Sequence, residues 1–137
     1  MGRKTIGKFV NTTAQTFTSA GNTVFSSTTI STEAIGYDGA GGVQLKTPGL
    51  YMIYANFTGT TTSATSDVAV GMYEGTNAVS GAYASGTGTA LGDNVNLAFS
   101  AVVSVRPNPL GTYATLYFKC TEAGTISLAN VIVEKVA

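Results

Sequence analysis

The segment TPGLYMIYANFTG, residues 47–59, carries apolar side chains at positions that would point to both faces of a strand. A Pro-Gly pair interrupts any regular structure that precedes it. The run that follows has no polar residue before Asn56 except two tyrosines. A strand with one face in water alternates apolar and polar residues. The run therefore predicts a strand that is covered on both sides. One face would carry Tyr51, Ile53, Ala55 and Phe57, and the other Leu50, Met52, Tyr54 and Asn56.

The composition indicates one folded domain and gives no sign of binding to nucleic acid or to an anionic membrane. The chain has 137 residues, of which 44% are hydrophobic and 10% charged, whereas about 25% charged is usual for a soluble domain. This hydrophobicity excludes disorder as the main state. The formal net charge is +0, so no basic surface points to nucleic acid or to an anionic membrane.

Two interpretations of the low charge remain open. Charged residues keep most monomeric proteins soluble, so part of the surface could be covered by partner subunits. Alternatively, the surface is polar without charge, rich in Thr, Ser, Asn and Gly.

No targeting segment is expected. The basic residues near the N-terminus are not followed by the apolar stretch of a secretory leader. No apolar run approaches the 18 or so residues of a membrane span. The single cysteine, Cys120, lies in the strand-like run YATLYFKC and is predicted to be a core residue with no disulfide.

Short β-rich runs separated by Gly, Asn, Asp and Pro predict an all-β domain, a sandwich or a barrel. We expect a short N-terminal arm over residues 1–13 and a single domain over residues 14–137. The polar segments 58–66 and 84–93 are candidate contact loops. Nine strands are predicted, near Gln15–Thr18, Val24–Ile30, Val43–Lys46, Gly49–Thr58, Asp67–Glu74, Ala78–Ala84, Asn94–Val105, Thr112–Cys120 and Thr125–Val136.

Two further strands also lack a charged outer face. In residues 94–105 one face is apolar, whereas the other is small and uncharged, including Asn96, Ala98, Ser100 and Val102. In the last strand we assign Ile126, Leu128 and Ile132 to one face and Ala129, Val131 and Val133 to the other. One sheet is thus expected to be packed on both sides. Because no helix is predicted, the expected cover is another copy of the chain.

Residues 49–57, GLYMIYANF, resemble a strand of the tumour-necrosis-factor and complement-q superfamily, in which a Gly-Leu-Tyr-x-Ile-Tyr run follows a Pro-containing loop. The preceding VQLKTPG and the C-terminal EAGTISLANVIV are similar to the same family. The resemblance covers roughly residues 14–136. It implies a jelly-roll β-sandwich that assembles as a homotrimer through its inner sheet.

By that resemblance, Met52 and Tyr54 would point to the threefold axis and Tyr51 and Ile53 into the core. The trimer interface would further include Asn96, Ala98, Ser100 and Val102, whose small side chains allow close approach. The last strand departs from the cytokine pattern, with Ser127, Ala129 and Val131, and fits the complement-q type better. The alternative is an ordinary core or surface for Met52 and Tyr54, because a one-residue slip exchanges the two faces.

The sequence offers little for catalysis, and no catalytic residue, cofactor or metal ligand is assigned. Without histidine, the commonest general base and most zinc sites are missing. The seven acidic residues are not paired in sequence. A calcium site at Asp38, Asp67 or Asp93 is a weaker hypothesis. The glycines of GYDGAGG, 36–42, are interpreted as a flexible loop and not as a phosphate-binding turn.

Three classes of function fit these observations. The first is a structural protein of a virus particle, a trimeric capsid decoration or head-fibre protein of a bacteriophage, made in the bacterial cytoplasm and carried on the capsid surface. The second is a receptor- or glycan-binding head of a phage fibre or of a bacterial or spore-surface protein. The third, a cytokine-like ligand, requires secretion.

The N-terminal residues distinguish the first two classes. A fibre tip continues from a long stalk, whereas a short basic arm suits direct docking. We expect Arg3, Lys4 and Lys8 to contact an acidic patch of the major capsid protein. On this reading, removal of residues 1–10 leaves a folded trimer that no longer binds its shell.

Overall fold

The protein is a sandwich of two antiparallel sheets. The structure is a computed structural model that describes residues 5–61, 67–87, 94–106 and 114–137. Within these ranges the chain forms twelve strands and no helix, so no helix there could cross a membrane. The predicted sites at Arg3, Lys4 and Asp93, and most of the predicted contact loops, lie outside the described residues.

The first sheet, sheet A, contains the three longest of the described strands. Its strands lie in the order β10-β7-β12-β1-β4, and β2 also pairs with β12. They are β1 (Ile6–Asn11), β2 (Gln15–Phe17), β4 (Ser27–Ile30), β7 (Gly49–Thr60), β10 (Asn94–Val105) and β12 (Gly124–Lys135).

The second sheet, sheet B, covers the inner side of sheet A. Its strands lie in the order β5-β6-β11-β8-β9, and β3 also pairs with β11. They are β3 (Gly21–Asn22), β5 (Ile35–Tyr37), β6 (Val43–Leu45), β8 (Asp67–Glu74), β9 (Asn77–Thr87) and β11 (Ala114–Cys120).

An aromatic cluster joins the two sheets across the core. Phe57 of β7 lies 6.0 Å from Phe118 of β11, measured between ring centroids. Phe118 in turn lies 6.1 Å from Phe25, which lies 5.9 Å from Phe9 of β1. Aromatic pairs at these separations each stabilise a fold by about 0.5–1.5 kcal/mol beyond the burial of their area. The core therefore connects β1, β7 and β11 directly.

Gly49, the first residue of β7, has a steric role. Gly49 has φ +149°, and a Cβ atom there would lie 2.3 Å from the backbone oxygen of Ala137. The amide of Leu50 donates to that same oxygen at 3.1 Å. Ala137 thus packs against the start of β7. Any side chain at position 49 would prevent the backbone of Ala137 from lying this close.

The structure confirms the all-β jelly-roll prediction, and all nine predicted strands have a counterpart. Three strands were not predicted, namely β1, β3 and β5. Strand β5 includes Gly36 and Tyr37, so the segment 36–42 is not wholly a loop. Its remaining turn is closed by Asp38, whose Oδ1 accepts the amides of Ala40 and Gly42 at 2.7 and 2.8 Å.

The structure also corrects the N-terminal arm of residues 1–13. Residues 6–11 form β1, which is hydrogen-bonded to β12 on one side and to β4 on the other. Phe9 is fully buried in the core. Lys8 therefore lies on a strand inside sheet A and not on a free arm. Phe9 shares the buried face with Gly7 and Asn11, whereas Ile6 and Val10 share the other face with Lys8. No alternation of apolar and polar residues therefore marked β1 in the sequence.

A bulge in β12 corrects the predicted faces of the last strand. The pairing of β12 with β7 shifts between Ile126 and Leu128. Ile126 is consequently buried in the core together with Ala129 and Val131, whereas Leu128 is exposed. A β-bulge adds one residue to a strand and so reverses the alternation beyond it.

We predict that deletion of residues 1–10 unfolds the protein instead of releasing a folded trimer from its shell. The deletion removes the strand between β12 and β4 and empties the site of Phe9, and loss of a buried Phe side chain alone costs about 3–5 kcal/mol. Circular dichroism and urea unfolding measure the result. The Lys8→Ala variant is the control, because Lys8 is exposed. A cooperative urea transition in the truncated protein would contradict this placement of β1.

A second prediction concerns Cys120, which is a buried free cysteine, as expected. Burial raises the pKa of its thiol, so the unfolded chain releases the thiol proton more readily than the folded one. We expect the free energy of unfolding to fall as the pH rises through the ordinary thiol pKa of about 8.5. Urea midpoints of the native protein and of Cys120→Ala, compared at neutral and alkaline pH, measure this contribution. Equal pH dependence in both proteins would contradict it.

Candidate oligomer interface

The six predicted interface residues share one surface, the outer face of sheet A, which is the side of β10, β7, β12 and β1 that points away from the core. In the strand register, Tyr54 lies between Ser100 of β10 and Ile132 of β12. The neighbouring cross-strand rows repeat the arrangement. They are Val102, Met52 and Glu134; Ala98, Asn56 and Asn130; and Asn96, Thr58 and Leu128.

The predicted assignment of faces in β7 is confirmed. Tyr51 and Ile53 are fully buried in the core, whereas Tyr54 is 45% exposed. The phenolic oxygen of Tyr51 donates to the backbone oxygen of Thr47 at 2.8 Å, which satisfies its one polar atom inside the core. The register therefore excludes a one-residue slip in this strand.

The outer face of sheet A exposes large apolar side chains. Val102 is 52% exposed and Leu128 is 41% exposed, and Tyr54 lies between their strands. Scattered apolar side chains are ordinary on a surface, but a group of them on adjacent strands marks an interaction site. The residues of β7 and β10 include no Asp, Glu, Lys or Arg, so burial of this face would desolvate few charges.

A shallow depression lies at the centre of this face. It has a volume of about 490 Å³ and is bordered by Tyr54, Ala98, Ser100 and Ile132. Small side chains on β10 leave room there for a group from another molecule. The side-chain oxygen of Asn130, also at the edge of the depression, is shielded from solvent and accepts no hydrogen bond from any described part of the chain. A buried oxygen of this kind usually has a partner.

Lys8 lies at the side of the same surface. It pairs with Ile132 on β12 and with Thr29 on β4, so it points to the same side as Tyr54. Sequence reasoning placed Lys8 with the docking residues and did not place Asn130 in the interface at all. The positions of Lys8 and Asn130 on this face follow from the pairing of β12 with β7 and β1. The sequence could not show this pairing, because the strands are distant in the chain.

The described residues contain no group of three His, Cys, Asp or Glu side chains that could hold a metal ion. Of the candidate calcium ligands, Asp38 closes the 38–42 turn through its Oδ1. Asp67 accepts a hydrogen bond from the Thr87 hydroxyl. Both carboxylates thus have a structural role within the chain.

Solved structures that superpose on this chain include tumour-necrosis-factor proteins and a complement-q globular domain. The chain superposes on murine APRIL with a TM-score of 0.71 and 11% identity, covering 98% of this chain and 100% of APRIL. The fold is the tumour-necrosis-factor and complement-q jelly roll. Eiger TNF from S. frugiperda matches with a TM-score of 0.71 and 9% identity over 98% of this chain and 94% of that one. The globular domain of zebrafish complement 1qA protein matches with a TM-score of 0.69 and 9% identity, covering 97% of each chain.

The jelly roll is recognised here through its shape and not through overall sequence similarity. No family model matches the chain, and no curated protein sequence matches it. At 9–11% identity, the superpositions establish the fold alone. The resemblance of residues 49–57 to this superfamily is confirmed at that level.

Proposed function

We propose that this protein is a non-enzymatic homotrimer whose copies meet through the outer face of sheet A, and that the trimer is a structural protein of a bacteriophage particle. The observation that carries the proposal is the exposed apolar group around Tyr54 on a sheet whose other side is already packed. The trimeric state follows the resemblance to the jelly-roll superfamily.

The chemistry of the outer face of sheet A supports its burial in an assembly. Val102, Tyr54 and Leu128 would lose their contact with water, and burial of apolar area is worth about 25 cal/mol per Å². Ala98 and Ser100 would let a neighbouring backbone approach closely. The oxygen of Asn130 would gain a donor from a neighbouring copy, for which the exposed amides of Asn56 and Asn96 are the nearest candidates on the same face.

The proposed place of the protein is the capsid surface, as a decoration or head-fibre protein that binds the major capsid protein after folding in the bacterial cytoplasm. A surface with few charges suits a protein that stays in contact with a large assembly. The buried free thiol of Cys120 suits folding in a reducing compartment. Because Lys8 belongs to sheet A, the docking role is proposed for Arg3 and Lys4.

The second candidate is a receptor- or glycan-binding head. This candidate is also a homotrimer, but its partner is a receptor or a glycan instead of the major capsid protein. A depression on the outer side of sheet B, bordered by Tyr117 and by polar side chains, favours this candidate and is described below.

The trimer is tested with a matched pair of substitutions. Tyr54 and Tyr83 are similarly exposed, at 45% and 53%, on opposite sheets. Tyr54→Asp would bring three carboxylates together at the axis, where unpaired charges are costly, so we predict dissociation to monomers. Tyr83→Asp should remain trimeric. Light scattering at high dilution measures the mass, which should be near three times 13.9 kDa for the native protein.

One result would refute the trimer, and another would refute its proposed interface. A native mass of 13.9 kDa would show that the apolar face is not covered by copies of this chain. A Tyr54→Asp protein that keeps the native trimeric mass would show that the copies meet through another surface.

The place on the particle is tested by purification. Phage particles isolated on a density gradient from the source culture should contain the protein in a fixed ratio to the major capsid protein, measured by mass spectrometry. The Arg3→Glu/Lys4→Glu variant should bind these particles weakly, and native binding should decrease with salt, because screening weakens contacts between exposed charges. Particles without the protein would contradict the capsid role, and full binding by the variant would exclude the basic residues as the anchor.

A further inference from the structure

The outer side of sheet B, which faces away from the proposed trimer interface, contains a second depression. It has a volume of about 470 Å³, within the range of small-ligand sites. Asn22 of β3, Asp38, and Tyr117 and Lys119 of β11 contribute the side chains that border it. The turn at Gly75 and Thr76 closes its far end.

Hydrogen bonds hold both turns that border this depression. Asp38 accepts the amides of Ala40 and Gly42, which fixes the first turn. The amide of Gly75 donates to the backbone oxygen of Thr115 at 2.9 Å, which ties the second turn to β11. The depression is therefore formed by the fold before any ligand arrives, which reduces the entropy lost on binding.

Tyrosines are concentrated on this side of sheet B. Tyr117 lies opposite Tyr73 in the pairing of β11 with β8, and Tyr83 on β9 is 53% exposed. The ammonium nitrogen of Lys119 lies 4.5 Å from the centroid of the Tyr73 ring. This cation–π contact directs Lys119 along the sheet surface. The result is an aromatic surface that carries polar groups at its edge.

One polar atom at the depression lacks a partner. The side-chain oxygen of Asn22 is shielded from solvent and accepts no hydrogen bond from the residues that the structure describes. Asn22 borders the depression together with Lys119, its neighbour in the pairing of β3 with β11. Buried polar atoms are nearly always paired in folded proteins, and a small rotation of the Asn22 side chain toward a donor group of a ligand would supply the missing bond.

We propose that this depression binds a neutral carbohydrate. The apolar face of a pyranose ring packs on an aromatic side chain, here Tyr117. Sugar hydroxyls both donate and accept hydrogen bonds, and they match the mixed set of an amide, a carboxylate and an ammonium group at Asn22, Asp38 and Lys119. Since one carboxylate and one ammonium group balance, the site favours an uncharged ligand over a phosphate or a sulfated chain.

This inference develops the second candidate function and does not depend on the trimer or on the capsid role. The site lies within one chain and on the sheet opposite the proposed interface. A failed sugar-binding test would therefore leave both of those proposals unchanged, and a monomeric protein could still bind sugar.

The test uses the native protein and an array of neutral oligosaccharides that includes lactose, chitobiose and maltose, followed by calorimetric titration with the best ligand. We expect binding by the native protein and retention by Tyr117→Phe, which keeps the ring. Tyr117→Ala should bind about tenfold more weakly, in line with the value of an aromatic contact. Asn22→Ala should also weaken binding. Tyr54→Phe, on the opposite sheet, is the control and should bind like the native protein.

Each variant is first shown to be folded by its far-ultraviolet circular dichroism spectrum and its urea midpoint, so that weaker binding cannot result from unfolding. Weaker binding by folded Tyr117→Ala and Asn22→Ala supports the site. Unchanged binding by both variants would overturn it, as would the absence of binding to every neutral oligosaccharide. Tighter binding of sulfated or phosphorylated glycans than of neutral ones would contradict the proposal that the ligand is uncharged.

Discussion

The structure depends on the hydrogen bonding of β7 along both of its edges. β10 pairs with the whole of β7 from Gly49 to Thr60, and β12 pairs with it from Tyr51 to Thr60. A strand fixed on both edges cannot rotate, so its side chains alternate strictly between the core and the outer face. Tyr51, Ile53 and Phe57 build the core, and the same geometry places Tyr54 outside. An apolar outer face is thus a direct consequence of the sequence of β7.

The outer faces of the two sheets carry different side chains, and each face supports a different proposed function. The outer face of sheet A exposes Tyr54, Val102 and Leu128 around small uncharged side chains at its centre, which suits contact with a second protein surface. The outer side of sheet B carries tyrosines with an amide, a carboxylate and an ammonium group, which suits a polar ligand. A sandwich of this kind can assemble through one sheet and bind a ligand through the other without conflict between the two.

Most of the strand pattern was predictable because it depends on local alternation. The β7 motif, the long strand at residues 94–105 and the buried Cys120 were all identified from neighbouring residues. The N-terminal strand β1 was not, because its apolar residues Ile6, Phe9 and Val10 do not alternate with polar ones, and only its position between β12 and β4 makes it a core strand. The bulge near Ile126 was also missed, because a bulge is defined by the partner strand and not by the sequence that contains it.

The sequence by itself determined that this protein is all-β, that it has one core and that β7 is apolar on both faces, since each of these follows from side-chain types and a period of two. Only the tertiary structure decided which distant residues share a surface. It placed Asn130 and Ile132 beside Tyr54, and Asn22 and Asp38 beside Tyr117. These neighbours lie far apart in the chain, and strand register, which is set by long-range pairing and turns, brings them together.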